Sequence, residues 1–144
     1  MAGEIIRIFV AAKEGSDMVS MERVEVVAEK GIVGDRYFGA IPDESITLIE
    51  AEQVEHFNAE NNADFAYSDL RRTVVTRGVD LNALVGKTFT VGGLRVHGCE
   101  LCEPCNYIAS RTDKTVLRGF LHRGGLRGRI MDSGTLSVGD QIIS

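Results

Sequence analysis

Three cysteines fall within seven residues, in Cys99-Glu-Leu-Cys102-Glu-Pro-Cys105. Two residues between thiols suit thiolate binding of zinc or an iron–sulfur cluster. No fourth cysteine follows, so a zinc set would need His97, which a strand places on the same face as Cys99. Such a His97/Cys99/Cys102/Cys105 site would crowd four ligands into nine residues. Zinc modules more often pair two ligand clusters across a loop. The other chemistry open to these residues is nucleophilic. A thiolate is stabilised by cations or by a helix N-terminus. Pro104 is favoured in a first helical turn, which would set Cys105 among free backbone N–H groups. Cys99 continues an apolar strand and lacks that arrangement, and Cys102 lies in the connection between the two. Small buried hydrophobes are the third reading, and it weighs most for Cys99 and Cys102.

Basic residues recur near glycines. Gly34-Asp35-Arg36-Tyr37-Phe38-Gly39 can aim Arg36 at an anion, since a guanidinium grips phosphate through two parallel bonds. The same residues also read as a tight turn with Asp35 bonded to its own backbone. Strand alternation would send Arg71 and Arg72 to opposite faces, so at most one would enter a site. In His122-Arg123-Gly124-Gly125-Leu126-Arg127-Gly128-Arg129 the paired glycines let backbone amides approach an anion. A plain helix-to-strand turn explains that segment equally well. It lacks the lysine and glycine spacing of a phosphate-binding P-loop. Arg36, Arg71, Arg72, Arg123 and Arg127 are expected to bring at least two members into one pocket with Cys105, because gathered cations repel unless an anion draws them together.

The elements that would position these residues are mostly strands. Period-two or continuous apolar patterns mark 4–12, 24–29, 46–49, 73–76, 126–131 and 141–143. Residues 88–98 read as a hairpin turning at Gly92-Gly93. Residues 50–61 switch to helical spacing, with Ala51, Val54 and Phe57 on one face. Further helices are expected at 105–110 and 113–123, and Asp80 is placed to cap a helical turn ending at Gly86. About seven strands with two or three surface helices describe a mainly β barrel or sandwich.

The totals bound the function. The chain has 144 residues, 44% hydrophobic and 26% charged, which suits a single domain over 1–144. A net charge of −5 argues against non-specific nucleic-acid binding, which needs a basic surface. No apolar run approaches the length of a membrane span, and no basic-then-apolar signal pattern opens the chain. Three clustered cysteines do not suit a disulfide framework, so reduced thiols and a cytoplasmic location are expected.

The motifs taken in order, GDRYFG, RRTVVTRGVDLNALVGKTFTVGGLRVHG, CEPC and LHRGGLRGRIMDSGTLSVGD, resemble the MOSC family, the C-terminal module of molybdenum-cofactor sulfurases. The likeness runs over about 24–140 and is greatest to the small stand-alone bacterial members. It implies a MOSC-type β-barrel, mainly β with surface helices. It implies that Cys105 carries sulfur as a persulfide or ligates the molybdenum of a pterin cofactor (molybdopterin). Arg36, Arg72 and Arg127 would suit the cofactor's phosphate, with Arg71, Arg123 and Gly124 in the same pocket, while Asp35 and Asp80 brace their loops. The chain departs from the family pattern at Tyr37, often histidine, and at Asn106, often basic. The resemblance points to a sulfur carrier or a molybdenum-dependent reductase component. Its partners would be a sulfur donor or acceptor protein or an electron donor. Pyridoxal phosphate is not expected, because in fused sulfurases it belongs to a separate domain. The rival readings are the zinc-binding interaction module and a cofactor-binding adaptor without turnover.

Overall fold

β-branched residues crowd the strand segments, where their stiff side chains pack well on a pleated surface. The computed structural model describes residues 2–144. The strands are β1 (Ala2–Val10), β2 (Val19–Met21), β3 (Arg23–Val27), β4 (Gly31–Ile32), β5 (Ile46–Glu50), β6 (Val74–Arg77), β7 (Thr88–Val91), β8 (Leu94–Leu101), β9 (Leu126–Ile130), β10 (Gly134–Ser137) and β11 (Gln141–Ile143). The helices are α1 (Ala51–Asn61), α2 (Asn106–Arg111) and α3 (Val116–Gly119). Among the described residues no helix is long and apolar enough to cross a membrane.

One sheet runs β11-β7-β8-β9-β5-β6-β1-β2, and β1 also pairs with β11. That pairing closes seven strands into a barrel, as expected for a MOSC-type fold. Glu4 faces both Arg77 of β6 and Gln141 of β11, so both edges of β1 are used at the closure. Among the named strands of the described residues only the β5–β6 pair is parallel, and α1 supplies the crossover that a parallel pair requires. β10, β3 and β4 form a second small sheet, whose Val24, Val26, Ile32 and Leu136 join the barrel core.

The barrel interior is filled by Ile5, Ile8, Ile46, Leu48, Val74, Phe89, Val96, Leu126 and Ile130, among others. A register shift between Ile5 and Arg7 lets Ile5 and Ile8 share the inner face three residues apart. The wall of β5, β6 and β1 is apolar on its outer face too. Ile49 and Val75 pack there with Val54 and Phe57 of α1, Ile108 of α2, and Val116 and Phe120 around α3. Phe57 and Phe120 stack with ring centroids 4.6 Å apart. The three helices therefore lie on one side of the barrel.

The expected hairpin turns on Gly92 and Gly93, whose φ values of 55° and 80° are what a two-residue turn of this hand demands. Three expectations change. The helix at 113–123 shrinks to α3, because Asp113 Oδ1 accepts the Thr115 N–H and hydroxyl (both 2.9 Å) in a local turn that competes with helix. His122, at φ 62°, then reverses the chain. Asp80 makes no capping bond to the 3-10 turn Leu81–Leu84; Glu50 Oε2 accepts the Leu81 N–H instead, at 3.1 Å. Pro104 lies outside α2, with Cys105 as the N-cap. The short β2, β4 and β10 were not anticipated, since two to four residues carry too little alternation to signal a strand.

Gly125 has φ 115°, and a Cβ there would overlap the Leu48 carbonyl oxygen of the barrel wall. Gly139, at φ 96°, has open space around the same position. Gly139→Ala should therefore cost only the backbone term of about 1–2 kcal/mol. Gly125→Ala adds overpacking of about 1–3 kcal/mol. Urea unfolding of both variants measures the difference, and equal losses would remove the Leu48 contact as a constraint.

Candidate functional site

The three cysteines occupy different environments. Cys99 points outward from β8, half-buried, with its thiol 3.6 Å from the His97 carbonyl. Burial pushes its pKa up, and the Asp43 carboxylate adds to the shift. Cys102 follows β8 and is 1% exposed. Its N–H donates to the Gly125 carbonyl at 2.8 Å. Burial pushes its thiol up, against the opposing pull of Arg72 and Arg127. Cys105 is exposed at the start of α2, and its side chain makes no capping bond. His97 Nδ1 is engaged with Thr88 Oγ1 at 3.1 Å. Among the described residues no three His, Cys, Asp or Glu side chains are placed to share a metal ion. The His97/Cys99/Cys102/Cys105 zinc set is therefore not assembled: β8 turns His97 and Cys99 outward, Cys102 is buried, and Cys105 lies beyond Pro104 in solvent.

The arginines sort into two inner groups. Asp35 Oδ1 accepts the Ala11 N–H and Arg36 Nη1, both at 3.0 Å, and Oδ2 accepts the Tyr37 N–H at 3.3 Å. That network holds the Gly34–Gly39 loop against the end of β1. The Arg36 side chain is 4% exposed, stacks 4.3 Å over the Tyr37 ring and donates Nη2 to the Arg71 carbonyl at 2.9 Å. Arg71, in the left-handed region at φ 63°, donates Nη2 to the Ser16 carbonyl at 2.8 Å. Arg72 departs in another direction. It donates to the carbonyls of Gly124 (2.8 Å), Leu70 (3.0 Å) and Cys102 (3.3 Å).

Among the described residues Arg71 and Arg72 are buried without a carboxylate partner, and Asp35 alone answers Arg36. The Nε atoms of Arg36 and Arg71 are buried donors lacking any acceptor. A cavity of about 400 Å³ is lined by Arg71, Arg111, Ser68 and Thr112, with Asp17 and Asp69 also on its wall. Asp69 Oδ2 is already taken by the Ala66 N–H at 3.0 Å. Arg111 was not anticipated from sequence; its only signal there is its place one helical turn and a half beyond Cys105. The six residues of α2 span about 9 Å, so this one helix carries Cys105 at its start and Arg111 at its end.

Other expected members lie elsewhere. Arg127 sits outside β9 between Glu100 (3.2 Å) and Glu44 (3.7 Å). Arg123 pairs with Glu60 at 3.3 Å, on the far side of α3. Gly124 is where a side chain would overlap the Cys102 carbonyl oxygen, so its role is close packing. Asp80 is exposed. The expected convergence on Cys105 is thus replaced by two pairings, Arg36 with Arg71 and Arg72 with Cys102. Strand alternation at β9 explains Arg127: Leu126, Gly128 and Ile130 point inward, so Arg127 and Arg129 cannot. One clasp was missed entirely. Glu103 accepts the His122 N–H at 2.7 Å through Oε1 and meets His122 Nδ1 at 2.6 Å through Oε2, pinning the cysteine loop to the turn after α3.

Structural and sequence comparisons place this arrangement among known proteins. The fold is similar to the YUAD protein from Bacillus subtilis, with a TM-score of 0.86, 17% identity and coverage of 99% of this chain and 94% of that one. It is also similar to YiiM from Geobacillus stearothermophilus, with a TM-score of 0.78, 14% identity and coverage of 98% and 74%. YiiM from Escherichia coli gives a TM-score of 0.72, 16% identity and coverage of 97% and 68%. No curated protein sequence matches the chain. The family model of the MOSC domain matches residues 34–143, from the Gly34–Gly39 loop through β11, and the chain therefore belongs to the MOSC domain family.

Proposed function

We propose that this protein is a sulfur-carrying component of molybdenum-cofactor chemistry, with Cys105 as the carrier thiol and Arg71 and Arg111 as the grip for the cofactor's phosphate. The observation that carries this reading is Arg71, a buried guanidinium with no carboxylate partner among the described residues and an Nε donor that lacks an acceptor, on the wall of the cavity that Arg111 also lines. Leaving a buried donor without an acceptor costs about 1–3 kcal/mol, and more where the group is charged. An anion bound at that end of α2 would answer it. The residues fit such a group on both counts: a soft, exposed thiol at one end of α2 and unanswered cations near the other. The family is associated with molybdenum-cofactor binding and sulfur transfer in general.

In the transfer step the Cys105 thiolate attacks the terminal sulfur of a donor persulfide. A new Cys105 S–S bond forms, the donor's S–S bond breaks, and the electron pair leaves on the donor thiolate. An acceptor nucleophile later takes the terminal sulfur and returns Cys105 to thiolate. The thiolate fraction governs the first attack. Exposure favours Cys105 for this work over Cys102, which is sealed in the wall. If the same soft thiol instead ligates molybdenum, the cofactor supplies two-electron redox chemistry, with a reductase activity fed by a separate electron donor. Arg71 and Arg111 would hold the phosphate in either case, and the Glu103–His122 clasp fixes the loop that presents Cys105.

Timed alkylation of reduced protein should label Cys105 first, Cys99 next and Cys102 last. Labelling of Cys99 and Cys102 should rise only above the ordinary thiol range, because burial raises both. Loading with glutathione persulfide should add one sulfur atom to the Cys105 peptide, and Cys105→Ser should abolish it. Fastest labelling elsewhere, or full loading in Cys105→Ser, would overturn the assignment of the carrier.

Arg111 is exposed, so Arg111→Gln should leave unliganded stability unchanged. Inorganic pyrophosphate at about 100 times its dissociation constant should stabilise the native protein by about 2.7 kcal/mol, read as a rise in Tm. Arg111→Gln should lose most of that rise. An unchanged response in the variant would move the anion site away from α2.

A further inference from the structure

The groove beside α3 is not used by the chemistry above. It encloses about 910 Å³ between the end of α1, at Glu60 and Asn61, and the segment carrying Lys114, Leu117, Arg118 and Leu121. Val116 and Phe120 of this segment are fully buried against Phe57. A surface helical turn with one apolar face inward ordinarily shows a polar face outward. Here the outward side carries Leu117, 36% exposed, and Leu121, 50% exposed, in the turn that follows α3, and both line the groove. Lys114 and Arg118 flank them, and among the described residues neither is paired with a carboxylate. The platform is stiff: a side chain at Gly119 would overlap the Phe57 ring, so α3 sits close on α1.

We propose that this groove docks an acidic, leucine-bearing segment of the protein that exchanges sulfur or electrons with this one. Charge complementarity argues for the occupant. The chain as a whole carries −5, yet the groove presents two unanswered cations around an apolar strip. Glu60, on the opposite wall, is occupied by His56 at 3.0 Å and Arg123 at 3.3 Å, so it does not neutralise them. An amphipathic segment with acids bracketing apolar side chains matches this pattern. Nucleic acid would want a broader basic surface and no leucines. Position supports the assignment as well. His122, directly after Leu121, is clasped by Glu103, two residues before Cys105. The clasp ties the end of the groove wall to the loop that carries Cys105, and α2, which Cys105 caps, contacts α3. The identity of the partner as an exchange protein rests on the sulfur-carrier reading.

The test uses the full chain and a fluorescein-labelled synthetic peptide of glutamates with leucines at i and i+4. The peptide should bind by fluorescence anisotropy and weaken as salt rises. The double variant Lys114→Glu/Arg118→Glu should weaken it about tenfold or more, as does loss of an interface anchor. Leu117→Ser/Leu121→Ser should weaken it comparably, while keeping the native circular dichroism. A peptide with leucines replaced by alanine should bind more weakly than the parent. Cys105→Ser should bind the peptide normally. Small-molecule loading of Cys105 by glutathione persulfide should persist in Lys114→Glu/Arg118→Glu. Failure of that loading in the native protein would remove the carrier reading while leaving the peptide result standing. Absent binding, binding indifferent to the charge reversal, or tighter binding of anionic vesicles or single-stranded oligonucleotide than of the peptide would overturn the proposal.

Discussion

Arg72 is a guanidinium buried in a protein wall with no carboxylate to meet it, and the geometry of the cysteine loop follows from how that charge is satisfied. Its three nitrogens reach the carbonyls of Leu70, Cys102 and Gly124. Those carbonyls belong to the approach to β6, the segment after β8 and the turn before β9, three stretches distant in sequence. Burying that charge with its donors unmet would cost more than the roughly 1–3 kcal/mol of a neutral group. The carbonyls must therefore converge, and they converge only because Gly124 and Gly125 let two backbones pass where a side chain would overlap Cys102 and Leu48 oxygens. A lysine could not replace this fork, because its ammonium is a point charge without three fixed directions.

The distribution of charge pairs follows the same logic. Outside the barrel, arginines meet carboxylates: Arg77 with Glu55, Arg95 with Asp132, Arg127 with Glu100, Arg129 with Glu29. The Arg95 pair holds the Asp132 carboxyl down at about 2. Such exposed pairs contribute little to stability. Inside, Asp35 meets Arg36, while Arg71 and Arg72 bond backbone carbonyls instead of a carboxylate. Arg71 and Arg72 thus keep positive charge without a carboxylate partner where water is excluded and the dielectric is low, which is where attraction for an anion is strongest.

Branched apolar side chains occupy the barrel interior. The candidate site lies instead by the outer face of β5, β6 and β1, where the three helices pack. That wall is apolar on both sides because α1 must cross over it to make β5 and β6 parallel. α2 and α3 then pack beside α1. From this layer come the exposed Cys105, the Arg111 that lines the cavity, and the leucines that line the groove.

Much of this was legible in the residues. Period-two and continuous apolar runs mark the long strands, Ala51, Val54 and Phe57 mark α1, and Gly92-Gly93 marks its hairpin, because these signals are local and depend on backbone preference within a few residues. The ordered motifs carried the MOSC family, whose model then matched 34–143. That burial raises the Cys99 pKa was also readable from its strand. Other features were not. Which carbonyls Arg72 would find, that Arg127 would face outward to Glu100, that Glu50 rather than Asp80 would hold Leu81, and that Arg111 would line a cavity with Arg71 all depend on segments brought together by barrel closure. A side chain's type states what it can bond to. Only the path of the whole chain decides which partners come within the three or so ångströms where a hydrogen bond forms.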